Sequence, residues 1–566
     1  MAGKNSAFYI DDWRVDPRSL RISRGDEETR LEPKVMQLLL YMSERPGQVV
    51  TRQELEDRVW EGTIVGYDAL TNSILKLRKA FGDSSRKPRV IETIPKTGYR
   101  LIAAVEAKSI EADPAPASDA PLRKFSVWPM GRWLAGTLIL AALVVLAAIG
   151  YWRSQAGGPV ALALPDQPSI AVMPFLNTGN DLRQNYFADG ITEDLITDLS
   201  KVSELFVIAR NSSFRYKGRA VDVAGVAAEL GVRFILQGNV RRHEDRVRIN
   251  VQLTDALEGR NIWAERYDTP LLDLFAVQDR VTRQIIEALS VRLSEFDQAR
   301  LAQPETYSPA SYDEFLKGWE RYWRFTPDDF AVAERHFKKA LEIDPDNSRA
   351  HAGLALIYWQ AWQQKWHENF GNPHAGWTRA HRELKLALVN PTPLAHTTHS
   401  SMLLYNRRFD QAIAEAEKAV ALDRNHAGGY LALATALGYS GQPGRAIETA
   451  KRGMRLDPNF VAPYLVVLGR AQLDMGLYRK AVDSLERAIA VNLHDRDAHI
   501  LLLAALGHLE RSERSTTILE ALQQEHAAME LPAFTMNWLT NRLPYRRKAD
   551  RDHLLAGLEK ARVPRW

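Results

Sequence analysis

The 566 residues carry 74 Lys and Arg against 70 Asp and Glu, a formal net charge of +4, with 45% hydrophobic and 25% charged residues and no cysteine. That length exceeds a single hydrophobic core, and that composition excludes a predominantly disordered chain. A chain without cysteine has no disulfide, no thiolate metal site and no cysteine nucleophile.

The opening MAGKNSAFYIDDWRVDP lacks the apolar core of a cleaved signal peptide. Short alternating runs, FYIDDWRVD, SLRISRG and ETRLE, predict strands over residues 8–30. A helix follows from Pro33, with proline in its first turn and Pro46-Gly47 ending it. Thr51 before RQELEDRVW, with Glu54 three positions on, has the form of a capping box. Next comes DALTNSILKLRKAFG, a helix with Asp68 as N-cap and Gly82 as its stop. Two strand-like runs, RVIETI and GYRLIA, joined by Pro95-Lys96-Thr97-Gly98, close the domain. Three helices and a C-terminal hairpin predict a winged helix-turn-helix over residues 1–105, an α+β fold.

Between Ala69 and Leu101 stand Lys76, Arg78, Lys79, Arg86, Lys87, Arg89, Lys96 and Arg100, opposed only by Asp83 and Glu92. Positive charge gathered on one helix and its adjacent wing is the electrostatic footprint of a phosphate-backbone binder. Leu70, Ile74, Leu77 and Phe81 follow the spacing of a buried face, which leaves Asn72, Ser73, Lys76 and Lys79 outward on a recognition helix for the major groove of double-stranded DNA. The plainer alternative is a solvated basic helix.

The run LEPKVMQLLLYMSERPGQVVTRQELEDRVW…ALTNSILKLRKAFGD…RVIETIPKTGYRL resembles the OmpR/PhoB-type winged-helix effector domain. The resemblance implies DNA contacts at Thr71, Ser73, Leu75, Lys76 and Arg78 of the recognition helix and at Thr93, Lys96, Thr97 and Tyr99 of the wing. Leu75 departs from the family, where many members have a basic residue. The winged helix begins almost at Met1, so no phosphorylated receiver domain is expected ahead of it.

Glu106–Lys124 is rich in Pro, Ala, Ser and Asp, and residues 106–132 read as a flexible linker. The stretch Trp133–Trp152, WLAGTLILAALVVLAAIGYW, is uncharged throughout and as a helix would reach about 30 Å, one bilayer hydrocarbon core. Arg123, Lys124 and Arg132 precede it and Arg153 alone follows closely, so the positive-inside rule expects a single-pass inner-membrane protein with its N-terminus cytoplasmic and residues beyond 153 extracytoplasmic. Winged helix, linker, membrane helix and outer domain together resemble the CadC/ToxR type of one-component membrane regulator, acting as a homodimer on promoter DNA.

Residues 165–298 alternate strand and helix, which predicts an α/β layer. The run SIAVMPF…YFADGITEDLITDLS…FVIARNSSFRYKG…ELGVRFILQGNVRR resembles a TolB-N-like domain. Asp189, Glu193, Asp194 and Asp198 share one helix and Arg210-Asn211-Ser212-Ser213 follow a strand. They read either as cation and anion sites or, more plainly, as a solvated face and an ordinary loop. His396 with His399 is too little for a metal site, and no cofactor is expected.

Asp344-Pro345, Asn390-Pro391, Asp423-Arg424 and Asp457-Pro458 are 46, 33 and 34 residues apart, within Ala-rich helical repeats. A period near 34 is the tetratricopeptide signature and predicts an all-α solenoid over residues 308–530, offering a surface to a peptide or protein partner, with residues 531–566 as a tail. Ala412, Ala446 and Ala481 are expected at close helix crossings, with Tyr430 and Tyr464 filling core positions. Trp319, Tyr322, Trp323, Tyr358 and Trp359 belong either to that surface or to the core. The expected function is membrane-anchored transcription regulation without enzymatic activity; the rivals are a nucleotide-cyclase-associated enzyme and an envelope assembly scaffold.

Overall fold

The computed structural model describes residues 8–106 and 162–566, apart from short breaks at 18, 26, 60–67, 84–87, 95–97, 180, 220–221, 302–307, 367–369, 371–372, 494, 529–531 and 541–542. Among the described residues no helix is long and apolar enough to cross a membrane. The expected span Trp133–Trp152 and nearly all of the linker lie outside them. The chain divides into two units, Met1–Val144 and Val145–Trp566.

In the first unit β1 (Phe8–Ile10), β2 (Trp13–Asp16), β3 (Arg21–Arg24) and β4 (Glu27–Arg30) form an antiparallel meander in the order β4-β3-β2-β1. Alternation buries Trp13 and Val15 on one face and leaves Arg14 in solvent. α1 (Pro33–Ser43), β5 (Val49–Thr51), α2 (Arg52–Val59), α3 (Asp68–Phe81), β6 (Ile91–Ile94) and β7 (Gly98–Leu101) follow, and β8 (Val105–Glu106) returns to pair with β1. Half of the expected capping box is present, Glu54 N–H donating to Thr51 Oγ1 at 3.2 Å, while the Glu54 carboxylate accepts from the Tyr41 hydroxyl at 2.7 Å. Lys34 Nζ caps the end of α2 at the Val59 carbonyl, 2.9 Å away. Leu70, Ile74, Leu77 and Phe81 of α3 enter one core with Trp13, Leu38, Leu39 and Tyr99.

The second unit begins with β9 (Ser169–Val172), β10 (Leu176–Asn177), α4 (Asn185–Ser200), β11 (Phe206–Val207), α5 (Arg210–Phe214), α6 (Val223–Leu230), β12 (Phe234–His243), β13 (Arg246–Asp255), β14 (Arg260–Pro270), α7 (Leu274–Ala288) and α8 (Glu295–Leu301). The sheet runs β11-β9-β12-β13-β14, parallel across its first three strands and antiparallel across β12, β13 and β14. α6 stops at Gly231, whose φ of 66° is the left-handed cap that glycine adopts without strain.

Paired helices then stack: α9 (Pro309–Tyr322) with α10 (Pro327–Ile343), α11 (Ser348–Gln364) with α12 (Pro373–Ala387), α13 (Pro393–Tyr405) with α14 (Phe409–Leu422), α15 (Ala427–Tyr439) with α16 (Pro443–Leu456), α17 (Ala462–Asp474) with α18 (Tyr478–Val491), and α19 (Arg496–His508) with α20 (Ser512–Ala528). Proline stands in the first two positions of six of these helices, where its missing N–H costs nothing. Ala412, Ala446 and Ala481 are fully buried, as their small size at helix crossings predicts, and the Tyr464 ring fills the gap left by Gly453. Tyr430, expected in the core, is only partly buried. Tyr358 and Trp359 are core residues. The segment read as a tail is folded, with α21 (Met536–Thr540) and α22 (Lys548–Lys560) packed back on the last repeats.

The α/β layer and the solenoid do not keep separate cores. One cluster runs from Ile170 and Leu195 through Tyr312 and Phe337 to Met402, and another joins Phe206 and Leu230 to Ala427 and Leu456.

Candidate functional site

The face expected to meet DNA is built on α3 and the β6–β7 hairpin. Lys76 and Lys79 are exposed; Lys76 Nζ lies 2.7 Å from Glu32 Oε1 in an open ion pair. Thr93 is exposed on β6. Thr71, Asn72 and Leu75 lie on α3 with their side chains outside the described residues, as are Lys96 and Thr97 altogether.

Three expected contact residues face inward instead. Arg78 is 7% exposed and its Nη2 donates to the Ile91 carbonyl and to Thr93 Oγ1, both at 2.9 Å. Its guanidinium ties α3 to the hairpin, so it is a positioning residue and not an outward contact. Ser73, expected outward, is buried, and the Tyr99 ring packs in the domain core. Helical spacing sets Lys79 outward and leaves Arg78 out; it is the family resemblance that places Arg78 at a contact position.

Two further residues of the motif are structural. Asp83 accepts from the backbone N–H of Arg89, Val90 and Ile91 at 2.8, 3.3 and 2.9 Å, fastening the start of β6 to the end of α3. Gly98 lets β7 approach β5, since a Cβ there would stand 2.1 Å from the Val50 carbonyl oxygen. Arg78, Asp83 and Gly98 thus fix the hairpin against the helix, and the exposed cations ride on that frame.

In the second unit the carboxylates of helix α4 are not a solvated face: each is held in an ion pair. Asp189 pairs with Lys217 at 2.5 Å, Glu193 with Arg210 at 2.7 Å, Asp194 with Arg349 at 2.9 Å and Asp198 with Lys201 at 2.8 Å. Trp319 Nε1 also donates to Glu193, and the buried Tyr312 hydroxyl to Asp194. Burial pushes the Asp189 carboxyl up despite the pull of Lys217. Among the described residues no group of three His, Asp or Glu side chains is placed to hold a metal. His396 and His399 both meet Glu415, at 2.7 and 3.0 Å.

Arg210-Asn211-Ser212-Ser213, read as a loop, opens α5 and docks on the solenoid. Asn211 Nδ2 and Ser212 Oγ donate to Asp457 at 3.0 and 2.5 Å, and Ser212 Oγ accepts from the Asn459 N–H at 2.8 Å. One repeat earlier, Asn425 accepts from Val207 N–H at 3.2 Å and donates to the Leu205 carbonyl at 2.8 Å. Arg455 donates to the Leu230 and Gly231 carbonyls at 3.0 and 2.7 Å. The residues ending the repeats are therefore the docking points of the α/β layer. Between the two remains a cleft of about 310 Å³, walled by Trp319, Tyr322 and Trp323 and bordered by Arg210, Arg349 and Asp457. The Arg210 guanidinium is held between the Phe214 and Trp323 rings, 4.0 and 4.1 Å from their centres.

Comparison with known proteins places names beside this geometry. The chain is 45% identical over 251 residues to the putative adenylate cyclase 3 of Rhizobium meliloti (strain 1021), which covers 44% of the chain and 42% of that protein. It is 24% identical to the transcriptional activator CadC of Escherichia coli (strain K12), over 62% of the chain and 73% of the relative. The chain thus spans well under half the length of the first of these relatives. The solved DNA-binding domain of Escherichia coli CadC is 35% identical, covering 18% of this chain and 97% of that domain, with a TM-score of 0.17. A tetratricopeptide-repeat family model matches residues 466–528. Residues 26–101 match the family model described as transcriptional regulatory protein, C terminal, and this part of the chain is a winged-helix DNA-binding domain of that family.

Proposed function

We propose that the chain is a membrane-anchored one-component transcription regulator: a homodimer that binds promoter DNA through α3 and the β6–β7 hairpin, and whose second unit receives the signal. The observation that carries this reading is the frame of Arg78, Asp83 and Gly98, which holds a hairpin beside a helix whose Lys76 and Lys79 side chains are exposed to solvent. Trp133–Trp152 supplies the anchor, with the second unit extracytoplasmic. The α/β layer, TolB-N-like in its sequence, and the solenoid form the sensor, and the aromatic cleft between them is the site where a small ligand changes their docking.

The reading assigns no catalysis. The carboxylates of α4 are spent on Lys217, Arg210, Arg349 and Lys201 in holding the unit together. The name of the Rhizobium meliloti relative keeps a nucleotide cyclase as the rival, and formation of cyclic AMP from ATP by the purified chain would favour it. The direct test is genome-wide crosslinking of the intact protein to DNA, with Lys76→Ala/Lys79→Ala as control. Discrete peaks that vanish in the variant are expected; peaks unchanged in the variant would remove these two lysines from the interface.

A further inference from the structure

The first helices of the last repeats do not leave an open face. The C-terminal segment of the chain runs across α17 and α19, with Leu554 and Leu558 of α22 fully buried. The crossing is close: a Cβ on Gly557 would stand 2.5 Å from the Ala504 carbonyl oxygen.

Ahead of α22, Tyr545 is the anchor. It is 5% exposed, its ring lies 5.3 Å from Tyr439 at 68°, and its hydroxyl accepts from Arg470 Nη1 at 3.3 Å. Arg470 is itself 6% exposed, with its guanidinium 4.1 Å from the Tyr439 ring centre. Beside it the carboxylate oxygens of Asp474 are buried, facing Arg470, Arg547 and the Tyr545 hydroxyl. A face that needed only capping would present apolar side chains; a buried arginine beside a buried carboxylate is costly there and suits a polar occupant such as the Tyr545 hydroxyl.

The rim of the contact is weak by comparison. Arg546 meets Asp410 at 2.5 Å with both side chains largely exposed, and Arg407 donates to the Leu543 carbonyl at 3.2 Å. Exposed contacts of this kind are weak, so at its basic end the segment is held chiefly by the bond from the Arg546 N–H to the Tyr439 carbonyl, 2.9 Å long.

We propose that the face of α17 and α19 is a peptide-binding groove that the chain's own residues 543–563 hold shut, and that its external occupant is a partner segment of the same chemistry, a tyrosine followed by a basic pair and an amphipathic helix. Asp410 and Asp474 supply the acidic complement and Tyr439 and Arg470 the tyrosine pocket. The proposal does not depend on the DNA-binding reading.

The test uses the full chain and a fluorescent peptide of residues 543–563. Tyr545→Ala and Gly557→Val each alter only the closing segment and leave the groove intact. Fluorescence anisotropy should show the peptide binding both variants at least tenfold more tightly than the unaltered chain, and a peptide with its tyrosine replaced by alanine gaining nothing. Hydrogen exchange should quicken in residues 543–563 while α9 to α16 stay protected. The proposal is overturned if the peptide fails to bind chains whose segment has opened. It is equally overturned if the segment stays protected in both variants, or if exchange spreads through all the repeats, because the segment is then a fixed part of the core.

Discussion

At the scale of single residues, the basic stretch around α3 separates into cations with opposite duties. Arg78 spends its donors on Ile91 and Thr93, whereas Lys79 reaches solvent. Arg78→Ala removes two charge-assisted bonds and leaves a buried carbonyl unmet. It is expected to lower the stability of the winged helix by about 2–3 kcal/mol, read by chemical denaturation. Lys79→Ala should leave that stability within about 0.5 kcal/mol and instead weaken DNA binding evenly across sequences, reducing the salt slope by about one in gel-shift titrations. If Arg78→Ala proved neutral for folding, the frame described above would be wrong. The charge of this stretch was legible in the sequence, and so was the apolar stripe of Leu70, Ile74, Leu77 and Phe81. The division of labour was not: which arginine turns inward depends on where β6 lies, and β6 is placed by Asp83 and by the close approach at Gly98.

At the scale of elements, the repeat ends show what periodicity can and cannot reveal. Spacing near 34 residues predicted paired helices, and α13 to α18 have that form. It carried no sign that Asn425 would meet β11, or Asp457 and Asn459 meet α5, more than two hundred positions earlier, because contacts across such separations leave no local pattern. The acidic residues of α4 and the RNSS run looked like a solvated face and a loop for the same reason. Asp423 makes the junction testable. Burial, against the pull of the Asn425 N–H, Arg300 and Lys201, pushes its carboxyl up to about 6. A carboxyl that folding holds above its unfolded value stabilises the fold fully below that unfolded value, about 4, and this contribution is lost as pH rises through about 6. Asp423→Asn keeps the acceptor for Asn425 and removes the titration. The melting temperature of the variant should therefore gain on the unaltered chain by about 2 °C between pH 4 and pH 7, with no further gain above. A difference independent of pH would show that this carboxyl does not titrate in that window.

At the scale of the whole molecule, the sequence divides the second unit into an α/β domain and a solenoid, but the hydrophobic cores do not respect that division. Phe206, Leu230, Ala427 and Leu456 share one cluster, and Leu195, Tyr312 and Phe337 share another, so the layer and the early repeats have no apolar boundary at which to part. The winged helix has a cluster of its own, which among the described residues runs from Ile10 to Ala103. A domain with a closed core unfolds by its own cooperative transition, and elements that share a core unfold together. Calorimetry of the full chain should accordingly resolve one transition for the winged helix, apart from those of the second unit. Arg78→Ala should lower that transition alone, by about 8–16 °C for a domain of this size. Asp457→Ala, which strips the acceptor from Asn211 and Ser212, should move only the second unit, and should move the α/β layer and the early repeats together. Separate shifts of layer and repeats would mean that the polar docking residues, and not the shared apolar clusters, hold the second unit as one body. Their joint movement would mean that the walls of the cleft beside Trp319 and Trp323 belong to a single cooperative unit, so that a small change in docking is felt along the whole of it.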